Sequence, residues 1–195
     1  MTLFKPGWQK GSHQERMAFV SRMTNQKKLA EAAEADDVYV CFAAAKRLAD
    51  NALAQKAFAK AASCWFFDDT LGREALNYIS KPQLLLEIIQ TSGRYERIVT
   101  AIKRLTDQEA LSVVAISGAG YEALAIKALI KITSQALLAK IAEESQFDMI
   151  RMQAAAALTD KTLAKKVYCM LQYSMNFMVK ISAQQELAKL REMYG

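Results

Sequence analysis

The side chains able to carry acid, base, metal or nucleophile chemistry are sparse and scattered. The chain has a single histidine, His13, so Ser-His-Asp or Cys-His catalysis would have to run through it, and no motif surrounds it. His13 stands where a first helix would start, and its expected role is at a surface or a cap. The three cysteines, Cys41, Cys64 and Cys169, are far apart and set in apolar text, which fits neither a disulfide framework nor a thiolate zinc site. Of the acids on or near the second helix of each repeat unit described below, Glu74 and Glu122 are read as the ones outside the capping clusters, and no motif marks either one. Gly118-Ala119-Gly120 lacks the preceding strand and the following Lys-Ser/Thr of a phosphate loop, and it reads as a turn between helices. No catalytic residue, metal ligand or cofactor is expected, and the chain reads as non-enzymatic.

Two patterns can serve binding. The first is a series of cations: Arg22, Arg47, Arg104, Lys131 and Lys180, with Lys46 and Lys103 beside them. They recur just before a repeated phrase, and stacked helices lie ~8–10 Å apart, so they would line one edge of an array. At the other end of the same helices stand Asp36, Asp37, Asp68, Asp69 and Asp148. Compensation of helix dipoles, worth ~0.3–1 kcal/mol per charge, explains both sets without function. The second pattern is Trp65-Phe66-Phe67. Three consecutive aromatics cannot all face one core, so at least one is expected to be exposed as an anchor for a partner.

The elements that would position these groups come from an internal repeat. Leu105-Thr106-Asp107-Gln108 returns as Ile132-Thr133-Ser134-Gln135 and again as Leu158-Thr159-Asp160-Lys161. Anchoring on an apolar residue followed by a small one extends the series to Met23-Thr24, Leu48-Ala49, Ile79-Ser80 and Ile181-Ser182. Ser or Thr at the second position predicts a helix N-cap there. Glu109 after Thr106, and Gln185 after Ser182, then complete capping boxes. Four residues before the anchors stand Phe19, Ala44, Ala75, Ala101, Ala128, Ala154 and Phe177, and three before stand Val20, Ala45, Leu76, Ile102, Leu129, Ala155 and Met178. Small residues there let two helix backbones approach. Each unit is thus a helix B ending at the anchor and a helix A following it, for instance Met149 to Ala157 and Gln135 to Glu144. Neither buries its apolar stripe alone, so the units must stack.

Composition agrees. Ala, Leu, Lys, Glu and Gln dominate 195 residues holding 7 Gly and 2 Pro, which predicts an all-α protein. Residues 1–22 are read as an N-terminal strap and cap, with Trp8 covering the open end of the first helices, and 162–195 as a C-terminal cap within one domain. The segment Met1 to Lys10 lacks a signal-peptide core and no window reaches ~18 apolar residues, so a cytoplasmic, non-membrane setting is expected.

Leu105 to Gln108, Gln135 to Ala142, and Asp148 to Ala157 with Arg151 resemble HEAT-like repeat proteins over roughly Glu15 to Leu187. The resemblance implies a right-handed α-α superhelix of about six to seven hairpins, an armadillo- or HEAT-like solenoid. Its period near 26 is shorter than the ~40 residues of ordinary HEAT units. The helix-B arginine is in register at Arg16 and Arg151, while Arg73 and Arg97 stand one step off. Such arrays imply a binding scaffold that offers its concave B-helix face and basic rim to a protein partner. The formal charge of +6 makes that partner acidic if charge takes part. The alternative is nucleic-acid binding through the same rim, as in HEAT-like arrays that resemble DNA glycosylases. An attachment chaperone for a chromophore or cofactor also fits the architecture, without residues that mark it.

Overall fold

Helix starts in this chain are set by short polar side chains on extended backbone. Asn25, Asp50, Asp107, Ser134 and Asp160 each accept a hydrogen bond from a first-turn amide, those of Lys28, Leu53, Ala110, Leu137 and Leu163 respectively. Such a cap stabilises a helix by about 1 kcal/mol. Pro82 opens another helix, where its missing N–H leaves no donor unpaired. The caps fall one residue later than the repeated Ser/Thr, so Thr106 and Thr133 are not caps. The box predicted for Thr106 and Glu109 is replaced by the Asp107 cap.

The computed structural model describes residues 7–64 and 66–194, Tyr194 by its backbone only. Thirteen α-helices and no strand occur among them. The chain divides into two compact units, Met1–Arg104 and Leu105–Gly195. The first holds a 3₁₀ turn (Gly7–Gln9) and α1 (His13–Ser21), α2 (Gln26–Ala33), α3 (Val38–Ala45), α4 (Asn51–Ser63), α5 (Asp69–Asn77), α6 (Pro82–Thr91) and α7 (Tyr95–Arg104). The second holds α8 (Gln108–Ser117), α9 (Glu122–Leu129), α10 (Gln135–Glu144), α11 (Asp148–Ala156), α12 (Lys161–Leu171) and α13 (Phe177–Tyr194).

Odd-numbered helices up to α11 are the B helices and even-numbered ones the A helices. Within each unit, most helices pack against the next in sequence: α2 through α5 in series and α6 on α7 in the first, α8 on α9 and α10 through α13 in series in the second. Many also pack against the next but one: α1 on α3, α2 on α4, α4 on α6 and α5 on α7, then α8 on α10, α9 on α11, α10 on α12 and α11 on α13. This is a solenoid-like arrangement of consecutively packed hairpins. The five register alanines, Ala44, Ala75, Ala101, Ala128 and Ala154, are all fully buried, as close approach of helix backbones requires.

A second device repeats with the hairpins. Gln26, Gln55, Gln108 and Gln135 each donate their side-chain amide to a carbonyl at the next B-to-A turn: those of Arg47, Tyr78, Lys131 and Ala157. Each also accepts the backbone N–H of the residue after the anchor: Ala49, Ser80, Thr133 and Thr159, at 2.8–2.9 Å. The hydroxyls of Thr133 and Thr159 turn to the same glutamine oxygens. The hydroxylated position of the repeat thus receives the preceding unit's glutamine.

The last anchor is not a turn. Ile181-Ser182 lies inside α13, whose start is fixed by Asn176 accepting from the amides of Met178 and Val179. Nothing between Phe177 and Tyr194 breaks the helix, so Ser182 caps nothing and Gln185 completes no box. The buried stripe of α13 is Val179, Ala183, Leu187 and Leu190, leaving Phe177 and Met178 exposed. At the other end, the Gly7–Gln9 turn packs on α1, with Trp8 half-buried. A capping box at Ser12 and Glu15 starts α1, with the Ser12 amide bonding the carboxylate at 2.7 Å. No helix among the described residues is long and apolar enough to cross a membrane.

Candidate interaction surfaces

The A-to-B turn between α4 and α5 is held from a helix about thirty residues further on, by Arg97 of α7. Its side chain is 1% exposed and donates to the carbonyls of Ala62, Cys64 and Phe67 and to the Asp69 carboxylate at 2.9 Å. The guanidinium fork matches this set in a way an ammonium cannot. Gly72 makes the room: a Cβ there would lie 2.6 Å from Arg97 Cζ and Nε. Nε itself has no acceptor, because it faces the α5 backbone at Gly72.

The pinned turn divides its aromatics. Phe67 is 1% exposed and packs edge-on against Tyr39 and beside Phe42, with ring centroids 4.9 and 5.5 Å apart. Phe66 is 86% exposed. Trp65 lies outside the described residues. The turn is closed by the Phe67 amide on the Cys64 carbonyl, and it buries Phe67 while leaving Phe66 outside.

The cation positions separate into two kinds. Lys46 bonds Glu74 at 2.8 Å and lies over the rings of Phe42 and Tyr78; the Glu74 hydrogen bond raises its pKa. Arg104 donates to the carbonyls of Asn77 and Ile79, and Lys131 to that of Leu105. Burial lowers the pKa of Lys131. Arg104 and Lys131 fasten one turn to the one before it, Lys46 ties the end of α3 forward to α5, and Lys103 is also engaged. Arg22 and Arg47 are exposed and make no side-chain hydrogen bond or ion pair among the described residues. Lys180 sits in the first turn of α13 and not at a helix C-terminus, since no turn follows it.

The acids at the other end are capping and pairing groups. Asp37 and Asp68 are N-caps of α3 and α5. Asp37 also pairs with Arg16 at 3.0 Å and lies 3.5 Å from His13, and Asp69 pairs with Arg97. Arg16 and Arg97 thus each tie one B helix to an aspartate at the start of the neighbouring B helix. Arg97 does so despite its one-step offset. Arg151 instead pairs with Asp148 and donates to the Ala142 carbonyl within its hairpin, and it also reaches the Met170 sulfur on α12. Glu74 is occupied by Lys46 and Tyr78, and the B helices also carry Glu15 and Glu96. No group of three or more His, Cys, Asp or Glu converges on a metal-sized site among the described residues. Gly118, Ala119 and Gly120 form a left-handed turn between α8 and α9, with φ of 55°, 45° and 84°. Only glycine enters that region freely, which accounts for the two that flank Ala119.

One surface went unread in the sequence. Met170, Tyr173, Met175, Phe177 and Met178 are all exposed, Met175 completely. The turn is fixed by Ser174 bonding Asp148 and by the Asn176 cap, which hold these side chains outward.

No protein-family model, curated protein or solved structure matches the chain at a significant level.

Proposed function

We propose that the protein is a non-enzymatic, protein-binding scaffold of the HEAT-like kind, using the exposed aromatic of its α4–α5 turn together with the face of its B helices and the basic edge at its B-to-A turns. Phe66 is the observation that carries this reading. A large aromatic held in water has no use in folding, and here a fully buried arginine with four acceptors fixes the turn that displays it. Aromatic side chains preorganised in this way dominate binding energies, because little entropy remains to be lost. A photo-reactive phenylalanine analogue at position 66 should cross-link a discrete partner in cells, while the same analogue at exposed Lys140 should not. Phe66→Ala should weaken that partner's binding by about 2 kcal/mol, roughly thirtyfold, with the fold intact. Equal labelling from both positions, or none from 66, refutes the reading.

Charge supports a second reading, nucleic-acid binding. Residues 1–104 hold 16 Lys and Arg against 11 Asp and Glu, a net +5 of the chain's +6. Arg22, Lys27, Lys28, Arg47 and Lys81 lie exposed near the B-to-A turns of this unit. Three or four of them on phosphates would give a log-log salt slope of about −3 to −4 with random duplex. An acidic protein uses the same charges, and absence of duplex binding at low salt leaves that reading alone.

A further inference from the structure

Phe19 departs from the packing rule of its own repeat. The next five units place a buried alanine four residues before the anchor, whereas the first unit has a phenylalanine that is 48% exposed. The 3₁₀ turn lies on its ring so closely that a Cβ on Gly7 would be 2.6 Å from Phe19 Cζ. This turn, α1 and the start of α2 enclose a cleft of about 500 Å³. Trp8, Phe19 and Met23 supply its apolar surface, Arg22 and Lys28 its cations, and Glu31 its one acid. Neither Arg22 nor Lys28 has an ion pair among the described residues.

We infer that this cleft receives a short acidic peptide segment, with one aliphatic or aromatic side chain between Trp8, Phe19 and Met23 and an adjacent carboxylate on Arg22 or Lys28. The inference rests on the protein-binding reading and names its partner's chemistry at a place other than Phe66. The apolar part calls for a side chain of about the volume of leucine or phenylalanine, and Met23 adapts its shape to either. The cationic part calls for a carboxylate, which the arginine fork binds bidentately. A nucleic-acid strand fits less well, because Glu31 shares the cleft and repels a phosphodiester chain carrying a charge at every step. A peptide can place its acids beside Arg22 and leave a neutral residue opposite Glu31.

The test uses the full chain with Trp65→Phe, which leaves Trp8 as the sole tryptophan, and repeats the titration calorimetrically with the unaltered chain. The probe is an acetylated, amidated Asp-Phe-Asp-Leu-Asp peptide. Saturable change in Trp8 emission is expected, with matching heat in the unaltered chain. Asparagine in place of the three aspartates should weaken binding at least tenfold. Arg22→Glu should do the same, and since Arg22 is exposed and unpaired its replacement leaves the fold intact. Absence of a saturable response, equal binding of the asparagine peptide, or tighter binding of a ten-residue oligothymidylate overturns the inference. A cleft blocked by the chain's own first six residues gives the first of these results and overturns it too. A silent cleft with a position-66 cross-link removes this inference alone, while peptide binding without that cross-link removes the Phe66 reading and keeps the cleft.

Discussion

Replacing Arg97 with methionine tests how the exposed Phe66 is held. Methionine approximates the length of the buried stem but offers no donor. The carbonyls of Ala62, Cys64 and Phe67 then lose their shared partner, and two of those bonds are buried. A buried polar group left unsatisfied costs about 1–3 kcal/mol. Relief of a desolvated guanidinium offsets part of this, and the Asp69 carboxylate, 56% exposed, is rehydrated at little cost. The net loss should be about 3–5 kcal/mol, in line with removing one partner of a buried charged group. Gly72→Ala should act in the same direction without touching the arginine, because the added methyl meets its Cζ. Urea unfolding followed by circular dichroism reads the stability, and chymotryptic cleavage after Phe66 and Phe67 reads the turn. Both variants should lower the midpoint and speed cleavage there. A loss below about 1 kcal/mol with unchanged cleavage would refute the claim that Arg97 pins the turn.

Other expectations concern the frame. Ala101→Leu forces a larger side chain into a fully buried register position, so unfolding should come easier by about 1–3 kcal/mol or more; an unchanged urea midpoint would contradict close helix approach. Cys169 is exposed, while Cys41 is buried with its thiol donating to the Ala35 carbonyl, and burial pushes the Cys41 thiol up to about 11. Maleimide at pH 7.5 should therefore label Cys169 in the folded chain and reach Cys41 only after denaturant. Glu15 has its pKa lowered by the Ser12 amide. Its contribution to α1 is present above the unfolded carboxyl value and is lost as pH falls through the lower folded one. Amide protection in α1 should decline in that acid range, and Glu15→Gln should remove the pH dependence.

Repeat phrases carried most of the fold into view, because a hairpin that stacks on its like must restate its caps, its small residues and its spacing. The buried alanines were legible for that reason. The glutamines were present as the fourth residue of two phrases, yet their role was not legible. A side chain that bridges to a turn 22 to 25 residues on, as those of Gln108 and Gln135 do, looks locally like any polar first-turn residue. Ser182 misled for the opposite reason. It matched the phrase, but no residue near it breaks a helix, and the Asn176 cap upstream had already decided where α13 begins. At the candidate surfaces, the aromatic run signalled that something must be exposed, while choosing Phe66 over Phe67 required Tyr39 and Phe42 in three dimensions.

The repeated hairpin joined turn to turn by glutamines is most directly tested by residue-resolved hydrogen exchange of the turn amides. Ala49, Ser80, Thr133 and Thr159 each give their N–H to a glutamine of the preceding unit. Thr106 has Pro82 where a glutamine would open the preceding A helix, and its N–H makes no such bond. Slow exchange at the four amides, fast exchange at Thr106, and loss of protection at Thr159 alone in Gln135→Ala are the results predicted here. Uniform fast exchange at all five turns, or protection at Thr159 that survives Gln135→Ala, would contradict it.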